Sequence, residues 1–167
     1  LNKNKMQEKY MTKKMNRRKF QSINELLDFA INKESESIKI YNKIAARAED
    51  NAIKVIFKRF AREEFDHMRR LTEIKEKNYM ENESSTLLDL DVPSFSFKLK
   101  RKGNLSVKDA LKLAVRREKA AFQLYSQMAE ATENPTAKKL LTDLARDEAQ
   151  HEMKISVEND TYLRNVA

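Results

Sequence analysis

The chain has 167 residues, a formal net charge of +8, no cysteine, one glycine and two prolines. The lack of cysteine excludes disulfides, thiolate metal sites and thiol catalysis, and a lone glycine, Gly103, excludes a phosphate-cradling loop or a dinucleotide fingerprint. The length suits one domain able to bury a core, and 36% charged residues with so few helix breakers point to long helices.

First in chain order is a basic tail, residues 1–21. Residues 1–20 carry eight Lys and Arg against one acid, so the rest of the chain is close to neutral. Such a tail can attract nucleic acid or an anionic membrane. A solvated, frayed terminus is the simpler reading, and neither partner is expected. No apolar run approaches the roughly 18 residues of a membrane span. No signal-peptide pattern appears, so cytoplasm is the expected location.

Residues 22–167 form the second unit. Ser22-Ile23-Asn24-Glu25 reads as a capping box, opening a helix over about 23–48. In it Leu27, Ala30, Ile31, Glu34, Ile38, Tyr41 and Ala45 fall on one stripe at helical spacing. A turn at Glu49-Asp50-Asn51 leads to a second helix over about 51–79. Residues 81–105, with Pro93 and the basic run Lys98 to Lys102, read as a linker. A helix of about 25 residues is roughly 37 Å long, and a dozen or so extended residues cover that distance, so this linker is long enough to cross a bundle. Ser106 then opens a third helix over about 107–132. Asn134 as N-cap and Pro135 in the first turn open a fourth over about 135–163. The expected fold is all-α: two helical hairpins joined by a long crossover into a four-helix bundle.

The two hairpins repeat one another. Sliding the sequence by 84 aligns residues 22–71 with 106–155 without a gap, and twelve of the fifty positions are identical. The identities include Glu34 with Glu118, Tyr41 with Tyr125, Glu64 with Glu148 and His67 with His151. Both of the chain's histidines therefore occupy one frame, AREEFDH and ARDEAQH, each three residues after a glutamate.

Residues three apart on a helix differ by about 60° around its axis. Glu64 shares a face with His67, and Glu148 with His151. Phe57, Phe60 and Ala61 put that face inward, and Glu34 and Glu118 also lie within apolar stripes. Four carboxylates and two imidazoles would then meet in one core, where like charges are intolerable without compensation. Two divalent cations would balance the four carboxylates, and mixed carboxylate–imidazole ligation suits iron, manganese or zinc over calcium or magnesium. The plainer alternative is two surface ExxH turns with Glu34 and Glu118 exposed, so burial decides between them. Tyr41 and Tyr125, seven residues after Glu34 and Glu118, would lie nearly above them. Each is either a donor to a metal-binding carboxylate or a core tyrosine with another partner. Met128, Met153 and the phenylalanines read as core filling. The charge count alone also predicts that Glu64→Gln stabilises the metal-free bundle by easing repulsion.

With these residues in place, the chain resembles the ferritin-like superfamily over about residues 22–163, and within it the rubrerythrin-like di-iron carboxylate proteins. The resemblance implies Glu34 and Glu118 as terminal ligands, Glu64 and Glu148 as bridging carboxylates, and His67 and His151 as terminal nitrogen ligands. It implies two iron ions, with manganese or zinc as substitutes. It further implies an oxidoreductase that reduces peroxide or O2 with electrons from Fe(II), of peroxidase, oxidase or ferroxidase type. A small-molecule oxidant, an external electron donor and a second copy in a homodimer are the expected partners. Two departures stand out. Rubrerythrins proper end in a cysteine-ligated rubredoxin module, and this chain has no cysteine. They also carry a further glutamate one turn after that of the third helix, where this chain has Ala121, with Ser37 as its repeat mate. The plain six-ligand set is similar to that of bacterioferritin. The rival readings are a ferritin-like iron-binding protein that associates with nucleic acid through the tail, and a non-catalytic metal-binding scaffold.

Overall fold

The computed structural model of the protein describes residues 16–81, 89–95 and 106–165. Four helices dominate it: α1 (Ile23–Arg47), α2 (Asn51–Glu76), α3 (Val107–Ala131) and α4 (Pro135–Asn165). Two short strands flank the first hairpin, β1 (Asn16–Lys19) and β2 (Asp89–Val92).

Each helix begins where a side chain satisfies its free amides. Ser22 Oγ accepts from the Glu25 amide at 3.1 Å, and Glu25 Oε2 accepts from the Gln21 amide at 2.6 Å. Asp50 Oδ1 accepts from Ala52 and Ile53 at 2.7 and 3.3 Å. Ser106 Oγ is 3.4 Å from the Asp109 amide. Asn134 Oδ1 accepts from Thr136 and Ala137 at 3.0 Å, with Pro135 as the first helical residue. Helix α2 stops at Glu76, short of the expected 79. Asn78 there takes a left-handed φ of 53°, and the Tyr79 amide reaches back to the Ile74 carbonyl at 3.2 Å, the closing bond of a Schellman end.

Helices α1 and α2 pack as one hairpin and α3 and α4 as the other, with α1 also against α3 and α2 against α4. Two apolar clusters fill the bundle. One joins Leu26, Leu27, Leu71 and Ile74 to Leu124, Met128, Leu141 and Leu144. The other joins Tyr41, Ile44, Phe57 and Phe60 to Leu111, Ala114 and Ile155. Burying one such Leu or Phe is worth about 1.5–3 kcal/mol, so the two clusters can hold a polar layer between them. Helix α1 begins in the cluster where α3 ends, so these helices run antiparallel. Helix α2 ends in that same cluster while α3 begins in the other, so the end of α2 and the start of α3 lie at opposite ends of the bundle.

The reading of residues 1–21 as a frayed tail is corrected at its C-terminal end. Strand β1 pairs antiparallel with β2, Asn16 opposite Val92 and Lys19 opposite Asp89. Phe20, Leu90 and Val92 are buried in the first cluster, and Arg18 lies 4.4 Å over the Phe29 ring. Gln127 of α3 fastens the ribbon, accepting from the Asp91 amide at 3.1 Å and donating to its carbonyl at 2.9 Å. Residues 1–15, with five of the tail's eight Lys and Arg, lie outside the described residues. The core-filling expectation holds for Met128 and fails for Phe65, Phe122 and Met153, which are exposed. No helix among the described residues is long and apolar enough to cross a membrane.

Candidate metal centre

Between the two apolar clusters lies a polar layer. Helix α1 brings Glu34, α2 brings Glu64 and His67, α3 brings Glu118, and α4 brings Glu148 and His151. All six are at most 4% exposed, which excludes the surface-turn alternative. They form two overlapping groups, Glu34-Glu64-His67-Glu148 and Glu64-Glu118-Glu148-His151, each offering ligand atoms within 4.8 Å of one another. Glu64 and Glu148 belong to both. The imidazoles stack between them, ring centres 5.4 Å apart and planes inclined by 18°.

The Nδ1 atoms face the carboxylates. His67 Nδ1 is 3.0 Å from Glu148 Oε1 and 3.5 Å from Glu64 Oε2. His151 Nδ1 is 3.2 Å from Glu118 Oε2 and 3.5 Å from both Glu64 Oε1 and Glu148 Oε2. The close contacts shift the titration of every group in the layer. Burial alone would lower the His67 pKa, but Glu148 and Glu64 overcome it and raise it to about 10. His151 is likewise raised against its burial by Glu118, Glu148, Glu63 and Glu64. Burial raises Glu34 and Glu118 well above the carboxylate range, helped by repulsion from Glu64 and Glu148. Burial opposes ionisation of Glu64 and Glu148 too, yet the two imidazolium groups hold both below the ordinary value. The imidazoles thus favour their charged forms beside Glu64 and Glu148, while burial favours the neutral forms of Glu34 and Glu118.

Hydrogen bonding does not satisfy this layer. Glu34 Oε1, Glu64 Oε1, both Glu148 oxygens and His67 Nδ1 are buried without a hydrogen-bond partner, the close ion-pair contacts being off line. Buried polar atoms are rarely left so. Hard oxygen donors and imidazole nitrogens converging from four helices fit a pair of divalent first-row metal ions. Those ions would compensate the carboxylate charges and use the orphaned atoms.

Further residues stand behind the six. Tyr41 donates to Glu118 Oε1, on the opposite hairpin. Tyr125, its repeat mate, is buried with no partner for its hydroxyl. The sequence reading missed Glu63 and Asp147. His151 Nε2 is 3.0 Å from Glu63 Oε2, and His67 Nε2 is 3.8 Å from Asp147 Oδ2. Each imidazole thus faces an acid from the other hairpin, one residue before a shared glutamate. The signal was available: an acid stands at that position in both repeats. Arg117, beside Glu118, is also fully buried and closes the seam between α1 and α3. It donates to Ser37 Oγ and to the Lys33 carbonyl, both at 3.0 Å. The seam between α2 and α4 is open: a cavity of about 230 Å³ reaches both histidines between Glu63, Asp147, Arg70 and Lys154.

The sequence profile of the rubrerythrin family matches residues 25–156, which include all six residues of the polar layer. The chain belongs to the rubrerythrin family. A comparison with curated proteins gives no match. Among solved structures, the chain is similar to one from Thermotoga maritima, described as that of a ferritin-like diiron-carboxylate protein. The TM-score is 0.66 at 20% identity, over 86% of this chain and 97% of the other. At that identity the likeness speaks for the fold, a ferritin-like four-helix bundle.

Proposed function

We propose that this rubrerythrin-family protein is a dinuclear iron oxidoreductase that reduces peroxide or O2 with electrons from Fe(II). The observation that carries the reading is the pair of overlapping donor groups sharing Glu64 and Glu148, with donor atoms buried and unsatisfied. Glu34 and His67 would hold one ion, Glu118 and His151 the other, and Glu64 and Glu148 both. A ferrous pair supplies two electrons, the number that takes H2O2 to two waters or O2 to peroxide. Manganese or zinc would fit the same donors, and only the first shares the redox chemistry.

The chain's own residues set the conditions. The two apolar clusters exclude water from either end of the layer. Arg117 shuts the α1–α3 seam, so a small oxidant or Fe(II) would come in by the α2–α4 cavity. Tyr41 fixes the Glu118 carboxyl through Oε1 and leaves Oε2 toward His151. Glu63, 3.0 Å from His151 Nε2, favours the orientation that points Nδ1 inward, while Asp147 stays 3.8 Å from His67 Nε2. An external electron donor and a homodimer belong to the same proposal.

The test is anaerobic Fe(II) loading followed by separate challenge with H2O2 and O2, monitored by absorbance. Rapid oxidation of about two irons per chain by one oxidant in preference to the other is expected, and the faster oxidant is the substrate. Metal uptake with neither oxidant consumed faster than by free Fe(II) would refute the reading and favour a non-catalytic scaffold.

A further inference from the structure

The two ends of the polar layer follow one repeat, but the side chains behind them do not match. Behind His151, Glu63 Oε2 approaches Nε2 to 3.0 Å. Behind His67, Asp147 stays at 3.8 Å, and the cause is visible. Arg70 Nη1 donates to the same Asp147 Oδ2 at 2.7 Å. Arg70 is itself anchored, Nε donating to Asp66 Oδ2 at 2.8 Å. The repeat mates of Arg70 and Asp66 are Lys154 and Gln150. Lys154 acts on Glu63 through its charge, and Glu63 remains directed at His151. Arginine's fork grips a carboxylate oxygen in fixed geometry, whereas lysine is a mobile point charge. The Asp66–Arg70–Asp147 chain therefore draws the orienting acid away from His67.

The other donors differ in the same sense. Glu118 has Tyr41 on Oε1 and His151 on Oε2. Glu34 Oε1 has no partner, and neither has the Tyr125 hydroxyl. Both carboxyls have a contact within the layer, Glu34 with Glu64 and Glu118 with His151. The difference lies behind them, where Tyr41 donates to Glu118 and the repeat mate Tyr125 donates to nothing, and ordering side chains on binding weakens affinity.

We propose that the two metal positions fill in order, the Glu118–His151 position first, and that Arg70, by holding Asp147, makes the Glu34–His67 position the weaker and exchangeable one. The inference rests on the dinuclear reading of the layer. Arg70 is a positioning residue: it acts on His67 through Asp147.

The chain's two histidines make the test direct. Protein labelled with 15N-histidine gives two imidazole spin systems, assigned with His67→Gln and His151→Gln, and is titrated with Zn(II) alone. The expected result is movement of the His151 resonances over the first equivalent and of the His67 resonances only afterwards. In Arg70→Gln the second zinc should tighten by about tenfold, the scale at which residues behind a ligand act, bringing the two steps together. Glu63→Gln should weaken the first zinc by a similar factor. Parallel movement of both histidines in the wild type, or His67 first, overturns the order. Ordered filling with the second step unchanged in Arg70→Gln overturns the role of Arg70. The dinuclear reading and the order fail separately: ordered zinc filling without oxidant turnover leaves the order standing, and turnover with simultaneous filling leaves the chemistry standing. Zinc that moves neither histidine overturns both.

Discussion

The two halves of the polar layer use the same ligand types at the same repeat positions and are supported differently. On the Glu118–His151 side, Tyr41 donates to Glu118 and Glu63 Oε2 comes within 3.0 Å of His151 Nε2. On the Glu34–His67 side, Tyr125 is unpartnered and Asp147 is engaged by Arg70. The divergence extends outward. Arg117 is buried across the α1–α3 seam, whereas its repeat mate Lys33 turns to Glu36 at 2.8 Å. A duplicated hairpin thus preserves the donors and varies what stands behind them. Residues behind a ligand set its orientation and basicity, so two positions with one donor list need not behave alike.

The largest effect should come from a residue that both halves share. Glu148→Gln leaves the protonated His67 without its 3.0 Å partner, and stranding a buried charge costs about 3–5 kcal/mol. The metal-free protein should lose that much unfolding free energy by denaturant titration in chelator, and elemental analysis should find both metals depleted. Glu64→Gln should act in the same direction. The charge count from sequence predicts the opposite, stabilisation by relief of repulsion. The ion pairs reverse that sign, because Glu64 faces two imidazolium groups. A Glu64→Gln protein that is more stable than wild type in chelator would restore the repulsion argument.

Next in size is the effect of pH on the metal-free protein. His67 has a folded pKa raised to about 10, against about 6.5 when unfolded. Its stabilising contribution is complete below the unfolded value and is lost as pH rises through the folded one. Glu34 and Glu118, also raised, act with the same sign. Thermal melts in chelator should therefore fall between pH 6.5 and 10. With metal bound the protons are already displaced, and the fall should be smaller. Equal slopes with and without metal would show that metal does not replace those protons.

The tyrosines separate the halves at smaller cost. Tyr41→Phe removes the donor to Glu118 and should destabilise the protein by about 1 kcal/mol. Tyr125→Phe removes a buried hydroxyl that has no partner and should be neutral or stabilising by denaturant midpoint. Equal losses would mean that the two tyrosines are equivalent after all. The smallest contrast is between the helix caps. Ser22→Ala should cost about 1 kcal/mol, and Ser106→Ala less, since its bond to Asp109 is the longer one. Denaturant unfolding resolves both.

The bundle was legible in the sequence because its signals are local. Ser22, Ser106 and Asn134 mark helix starts, the apolar stripes mark inward faces, and the repeat copies both. The six inward donors followed from those stripes. What stayed hidden depends on contacts between segments far apart. Strands Asn16–Lys19 and Asp89–Val92 are only four residues each, too short for alternation to show, and they exist through pairing and the grip of Gln127. The burial of Arg117 depends on Ser37 and the Lys33 carbonyl beside it, 80 and 84 residues away in the chain. Arg70 and Asp147 are 77 residues apart, and neither position alone suggests that one restrains the other.

Crystals loaded anaerobically with Fe(II), with anomalous diffraction recorded at the iron edge, test the shared centre most directly. Two peaks roughly 3.5–4 Å apart, both in contact with Glu64 and Glu148, are the predicted result, and at limiting iron the peak beside His151 should be the stronger. A single peak, or iron only at surface carboxylates with the polar layer still proton-paired, would contradict it.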